Sequence, residues 1–276
     1  MELRINAEKS KEPTKETRKD FSHYLINAKD PQTGKGLTND ELHADSSLII
    51  SAGSDTTAVT LSSTIFYLLH YPHVLDKLTT DIRSTFSSAD QIDGRATNRV
   101  PYLRACVDEA LRLSPPVPSH LPREVLPGGQ IVDGHYFSPG TIVGTSAYAI
   151  HHNVEYYPDP FKYRPERWVV DEKAGGLQAP DVVRVARAAF CPFSLGRRGC
   201  IGKNIAYREM EIALGKLLHA YDICLPKNRA EREPSGEGVS DHENPQRRRQ
   251  EEYQLVEHFI PIRKGPMVQF RAAAKP

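Results

Sequence analysis

The chain is a succession of amphipathic blocks separated by Gly- and Pro-rich breaks. The first forty residues are mostly polar; within them residues 19–28 predict a short helix, and Asp30-Pro31-Gln32-Thr33-Gly34-Lys35-Gly36 is a loop. Thr38-Asn39-Asp40-Glu41 has the form of a capping box. It opens a helix predicted over residues 38–70, which is long for a globular protein. Leu48, Ile49 and Ile50 are apolar early in it, and Ile65, Leu68 and Leu69 late. Pro72 follows, then a second helix over 74–86 and a third over 102–113, stopped by Ser114-Pro115-Pro116. Residues 121–148 read as β-rich: extended at 121–125, 130–132 and 141–148, with turns at Pro127-Gly128-Gly129, Asp133-Gly134 and Pro139-Gly140. Residues 169–187, with Gly175-Gly176 and Ala179-Pro180, read as a loop. Ile201, Ile205, Leu214, Leu217, Leu218 and Tyr221 recur at helical spacing and predict a last helix straight after Cys200. Residues 227–252 carry Arg247-Arg248-Arg249 and read as an exposed, partly disordered loop. Segments 259–263 and 267–271, split by Lys264-Gly265-Pro266, predict a closing hairpin. The pattern is that of a mainly α protein with small β-sheets, an α+β chain.

Composition narrows the class. With 276 residues there is room for one large domain or two smaller ones. A net charge of +1 argues against a dominant nucleic-acid or membrane-surface role. No apolar run reaches the roughly 18 residues of a membrane span. The charged start, Met1-Glu2-Leu3-Arg4, does not have the form of a signal peptide. Cys106, Cys191, Cys200 and Cys224 lack zinc spacing and do not suggest a disulfide framework, which points to a reducing compartment. No internal repeat is visible.

Three stretches carry chemistry. The first is Phe193-Ser194-Leu195-Gly196-Arg197-Arg198-Gly199-Cys200-Ile201-Gly202. A cysteine ahead of a helix meets free N–H groups and the positive dipole end, which favour a thiolate. The glycines let the backbone turn and admit something flat, and Arg198 offers a fork for a carboxylate. A lone cysteine is more often a small buried hydrophobe. Thiolate, bare backbone and carboxylate clamp together suit a haem iron bound axially by cysteine. The second stretch is Ala52-Gly53-Ser54-Asp55-Thr56-Thr57 inside the long helix, a run of poor helix formers. It reads either as a solvated polar face or as a proton relay, with a hydroxyl and a carboxylate side by side. The third is Glu109 and Arg112, three apart on one helical face, an arrangement that by itself is also that of any surface ion pair. Arg197, Lys203 and Arg208 near the cysteine are either a solvated face or a dock for an acidic electron donor.

Phe-x-x-Gly-x-Arg-x-Cys-x-Gly resembles the haem-binding loop of the cytochrome P450 family, the haem-thiolate monooxygenases, and every fixed position is filled. The long-helix stretch resembles the family's Ala/Gly-Gly-x-Asp/Glu-Thr-Thr segment. Glu109-Ala110-Leu111-Arg112 resembles its Glu-x-x-Arg helix, and Tyr163-Arg164-Pro165-Glu166-Arg167-Trp168 the later arginine segment. The resemblance runs from about Asp20 to the end and matches only the C-terminal half of a family member, of eukaryotic, fungal style. It implies a partial cytochrome P450 fold forming one piece of a single domain, residues 1–276. The parts are a central helix 38–70, a Glu-x-x-Arg helix 102–113, a β-rich region 121–148, a haem-binding loop 193–202, a polar loop 227–252 and a terminal hairpin 259–271. It implies haem b bound through Cys200 as the axial metal ligand, with Phe193, Arg198 and Gly202 around it and Arg123 on a propionate. Asp55 and Thr56 would be the acid–alcohol pair, and Gly53 would leave room for oxygen. Glu109, Arg112 and Arg167 would form a buried network, and Trp168, where the family more often has Phe, reads as a tolerated aromatic exchange. Residues 117–121 would border the substrate pocket. His120 there is either a substrate contact or an exposed loop histidine, and His151 and His152 read as structural rather than ligands.

The implied function is oxygen insertion from O2 into a small organic substrate, in secondary or xenobiotic metabolism, with an NADPH-dependent reductase as electron donor. No nucleic-acid partner is implied. A full-length relative would sit at the endoplasmic reticulum membrane, with membrane contact only through the unmatched N-terminal half; this chain, without an anchor, would be cytoplasmic. The rival readings are a haem-thiolate isomerase, dehydratase or peroxygenase, against which Asp55-Thr56 argues, and a truncated, haem-poor, inactive fragment, poorly soluble on its own.

Overall fold

A computed structural model describes residues 20–232, 235–256 and 259–273. The charged start of the chain and Lys19 lie outside the described residues. The chain divides into two units, Met1–Asp55 and Thr56–Pro276, each taken by itself.

In the first unit, helix α1 (Phe21–Asn27) is capped by Asp20, whose carboxylate accepts the His23 N–H at 3.1 Å. The predicted capping box forms: the Glu41 N–H donates to Thr38 Oγ1 at 3.3 Å, and the Thr38 N–H donates to Glu41 Oε2 at 2.7 Å. It starts helix α2 (Asn39–His70), which has its first part in this unit and its last part in the other. The polar middle does not interrupt α2. Leu48, Ile49 and Ile50 are exposed.

The second unit holds the main core. Phe66, Tyr67 and Leu68 from the end of α2 join Val74, Leu78 and Ile82 of helix α3 (Pro72–Thr85). The spacing of four in α3 puts all three apolar side chains on one face. Helix α4 (Pro101–Leu113) is buried along almost its whole length, Glu109 and Arg112 included. It is the central element, and a charged pair on it has nowhere to go but inward. Both α3 and α4 start on a proline, whose fixed φ suits the first helical position. Helix α5 (Ala147–His151) and helix α6 (Pro180–Ala189) follow, and α7 (Lys203–Ala220) closes the core with Tyr207, Met210, Leu214 and Leu218. At Gly215 of α7 a Cβ would meet Ile92 Cγ2 at 3.1 Å, so its absence permits the close approach.

Four two-stranded antiparallel sheets complete the described residues. Strand β1 (Arg123–Glu124) pairs with β4 (Ile142–Val143), and β2 (Gln130–Val132) with β3 (His135–Phe137). Strand β5 (Tyr221–Cys224) pairs with β8 (Gln269–Ala272), and β6 (Leu255–Val256) with β7 (Ile262–Arg263).

Several expectations are corrected. The closing hairpin does not form, because its two segments pair with different strands, β6 and β5. Strands of two to four residues carry too little pattern to specify a partner. The strand expected over 141–148 ends at Val143. Ser146 then caps α5, its hydroxyl accepting the Ala149 N–H at 3.2 Å. The loop expected over 169–187 contains α6, for which Pro180 is a start signal rather than a break. Ile201 and Ile205 are not on the buried stripe of α7; both face out. Within the polar loop 227–252, residues 238–249 fold back on themselves, with the Gly238 N–H donating to the Arg249 carbonyl at 3.2 Å and the Val239 N–H to the Arg247 carbonyl at 2.9 Å. Its last residue, Glu252, is buried and accepts from Tyr148 Oη and Arg249.

The contrast between the two apolar sets is testable. Leu78→Ala should cost about 2–5 kcal/mol, because it opens a cavity in a filled core, whereas Ile50→Ala should cost under about 0.5 kcal/mol. Denaturant midpoints of the two variants check this, and equal losses would mean that the packing described here is wrong.

Candidate active site

The cysteine loop is shaped by main-chain hydrogen bonds. The Cys200 N–H donates to the Phe193 carbonyl at 2.8 Å, the Ser194 N–H to the Cys191 carbonyl at 3.0 Å, and the Gly199 N–H to the Gly196 carbonyl at 3.0 Å. Gly196 takes φ +68°, a left-handed conformation without penalty in the absence of a Cβ. The loop thus brings Cys200 back beside Phe193 and hands the chain to α7, capped by Gly202. Cys200 is exposed, so it is not the buried hydrophobe that a lone cysteine often is. It lies just ahead of the unpaired N–H groups of an 18-residue helix. Leu195 and Ile201 are exposed beside it, Ile201 completely.

Behind the loop, the half-buried Phe193 ring packs on Tyr207 with centroids 4.9 Å apart. Tyr207 Oη donates to Asp108 Oδ1 at 2.7 Å, and the Arg104 guanidinium lies 3.1 Å over the Tyr207 ring. Arg104 also pairs with Asp108 at 3.1 Å and Glu211 at 3.3 Å. Burial pushes the Asp108 carboxyl above its usual range, against the pull of Arg104. Arg208 pairs with Glu211 at 3.3 Å and Asn98 at 2.9 Å while its side chain stays partly open to solvent, and Arg197 and Lys203 are exposed.

On the adjoining part of α4, Glu109, Arg112 and Arg167 meet in a site closed to solvent. Glu109 Oε1 accepts from Arg112 Nη2 at 2.9 Å, Arg167 Nε at 3.1 Å and the Arg164 N–H at 3.0 Å. Oε2 accepts from Arg112 Nε at 2.9 Å and Trp168 Nε1 at 3.1 Å. The remaining Arg112 N–H groups, and one of Arg167, find carbonyls. Arg112 Nη1 donates to His151 O at 2.8 Å and Pro160 O at 2.7 Å, Arg112 Nη2 to Lys162 O at 3.2 Å, and Arg167 Nη2 to Asp159 O at 2.8 Å. Burial lowers the Arg167 pKa, while Glu109 opposes the shift. The surface-ion-pair reading of Glu109 and Arg112 therefore fails. Trp168 brings this site a donor that phenylalanine lacks, its indole N–H to Glu109.

The other candidate residues are more dispersed. Arg123 stands exposed on β1, its Nη1 donating to the Pro122 carbonyl at 2.8 Å, and Arg198 is exposed in the turn Gly196–Arg198. Gly53 and Asp55 are exposed in the first unit, and a Cβ on Gly53 would meet nothing within 4 Å. Thr56, in the second unit, is half-buried, and its carbonyl accepts Thr60 Oγ1 at 3.0 Å. His120 is exposed and bridges to Ser146. The Asp108–Tyr207–Arg104 group was not legible in the sequence; its one signal was the i,i+4 spacing of Arg104 and Asp108.

Comparison with known proteins bears on the family and the fold. A family model described as Cytochrome P450 matches residues 2–247. A cytochrome P450 monooxygenase of Gibberella zeae is 41% identical over 257 residues, 92% of this chain and 56% of the relative. Cytochrome P450 monooxygenase AKT7 of Alternaria alternata is 40% identical over 257 residues, 92% of this chain and 48% of the relative. Cytochrome P450 monooxygenase apf8 of Gibberella fujikuroi is 38% identical over 248 residues, 90% of this chain and 64% of the relative. The chain thus spans about half to two thirds of these relatives' length. Two solved structures share the fold. One, a cytochrome P450, has TM-score 0.70 at 21% identity, covering 98% of this chain and 53% of its own. The other, a retinoic acid-bound cyanobacterial protein, has TM-score 0.73 at 24% identity, covering 99% and 54%.

Arg112→Ala should strand Glu109 and unbalance Arg167, at about 3–5 kcal/mol, and yield little folded protein. Trp168→Phe should remove one donor from a buried carboxylate at about 1–3 kcal/mol. Denaturant unfolding of both variants measures this; a Trp168→Phe variant as stable as the parent would remove Trp168 from the network.

Proposed function

The chain belongs to the cytochrome P450 family, and from that premise we propose that it acts as a haem-thiolate monooxygenase with haem b bound through Cys200. The observation that carries this reading is the presentation of the Cys200 sulfur. It is exposed, tethered through its N–H to the Phe193 carbonyl and placed two residues ahead of the Gly202 cap of α7, open to a ligand. The surroundings fit the group. Leu195 and Ile201 expose apolar surface that a flat ring would cover. Arg123 and Arg198 have no carboxylate partner among the described residues, which suits them to two propionates.

Haem bound there supplies dioxygen activation, and a cysteine thiolate ligand favours O–O cleavage. The chain's own residues have separate tasks. Cys200 binds, Arg198 and Arg123 orient, and Phe193 braces the loop. Gly53 leaves room on the long helix, and Asp55 and Thr56, consecutive in sequence, hold and pass protons drawn from water. The substrate is a small organic molecule of fungal secondary or xenobiotic metabolism, in keeping with the fungal relatives. Electrons come from an NADPH-dependent reductase at the endoplasmic reticulum membrane. Among the described residues no helix is long and apolar enough to cross a membrane.

The reduced carbon-monoxide spectrum tests the cofactor. The protein should give the long-wavelength Soret band of a thiolate complex, and Cys200→His should lose it and all monooxygenation. A thiolate band that survives Cys200→His would move the ligand to another cysteine. Thr56→Ala should keep the band but lower product formed per NADPH by at least about tenfold while NADPH consumption persists. Unchanged coupling would take Thr56 out of the relay.

A further inference from the structure

We infer that His151 is a positioning residue whose imidazole locks the entry of the cysteine loop onto the buried Glu109–Arg112–Arg167 network. Two bonds on one residue make the link. The His151 carbonyl accepts Arg112 Nη1 at 2.8 Å, and its ring Nε2 accepts the Cys191 N–H at 3.0 Å. From Cys191 the connection continues through the loop's own bonds. The Cys191 carbonyl accepts the Ser194 N–H at 3.0 Å, and the neighbouring Phe193 carbonyl accepts the Cys200 N–H at 2.8 Å. The imidazole thus joins the charged network to the segment leading into Cys200 by a hydrogen bond, beside the ring contact that Trp168 makes with Phe190 at 4.6 Å.

The chemistry of the ring supports this. His151 is fully buried at the end of α5, stacked on Phe190 at 5.4 Å and edge-on to Tyr157 at 6.2 Å. For Nε2 to accept, the proton must sit on Nδ1, and Nδ1 has no hydrogen-bond partner among the described residues. Phenylalanine would stack equally well and leave no orphaned donor, so what histidine adds here is the acceptor. The bond also requires a neutral ring, because protonated Nε2 would confront the Cys191 N–H. The titratable and charged groups around the ring are Arg112 from α4, Cys191 from the loop, Tyr157, and His152 beside it. Burial, reinforced by Arg112, lowers its pKa to about 3. Burial also raises the Cys191 thiol, whose sulfur lies 3.8 Å from Nε2, so that neighbour stays uncharged as well.

The inference rests on the haem-thiolate reading only for its functional consequence. His151→Phe keeps the stacking and removes the acceptor; His151→Gln restores an acceptor. In the haem-loaded protein, His151→Phe should convert from the thiolate to the non-thiolate carbon-monoxide band about tenfold faster, and His151→Gln should recover much of the difference. Amide hydrogen exchange at Cys191 should follow the same order, with or without haem. Equal spectra and equal Cys191 exchange in the parent and His151→Phe would overturn the inference. If the parent itself shows no thiolate band, the haem reading fails while Cys191 exchange still decides the positioning role. Nitrogen NMR of the unsubstituted protein needs no variant. The His151 ring should hold the Nδ1–H tautomer and not titrate between about pH 8 and pH 5, and titration in the ordinary histidine range would equally overturn the inference.

Discussion

A carboxylate cut off from water must be given donors, and that requirement at Glu109 organises the second unit of this protein. Its two oxygens accept from Arg112, Arg167, Trp168 and the Arg164 amide. Two guanidiniums against one carboxylate leave an excess of N–H groups, four of which go to the carbonyls of His151, Asp159, Pro160 and Lys162. The exchange is mutual. The segment around residues 152–164 has no regular secondary structure, and its backbone carbonyls still need partners where they are covered. The guanidiniums provide them, so an irregular stretch is held in one conformation by two buried side chains.

Such a network is weak evidence for net stability, since desolvation offsets much of the Coulombic gain. Its value here lies in position. Helix α4 stands between two polar groups: Glu109 and Arg112 meet the 151–168 segment, and Arg104 and Asp108 meet α7. Each group reaches the cysteine loop by a separate route. One goes through Tyr207 to the Phe193 ring, the other through His151 to the Cys191 amide. A loop with an exposed cysteine and left-handed backbone has little intrinsic reason to hold one shape. Anchoring at a ring and at an amide supplies that reason, and leaves the sulfur itself uncovered.

Much of this was readable along the chain. Thr38-Asn39-Asp40-Glu41, Pro72 and the Ser114-Pro115-Pro116 stop are local signals, and the helices they bound follow from φ preferences and capping bonds made within a few residues. The cysteine loop and Glu109–Arg112 were legible for the same reason, because spacing of a few residues already places side chains on one face or one turn. What stayed hidden depends on partners far away in sequence. Strands β7 and β8 are too short to name their own partners, so packing chose β6 and β5 over the simpler hairpin. Trp168 and His151 each look ordinary until the fold sets an indole N–H against a buried carboxylate and an imidazole nitrogen against a loop amide. Local bonding is written in neighbouring residues, whereas a hydrogen bond spanning some forty to sixty residues exists only once the core has closed.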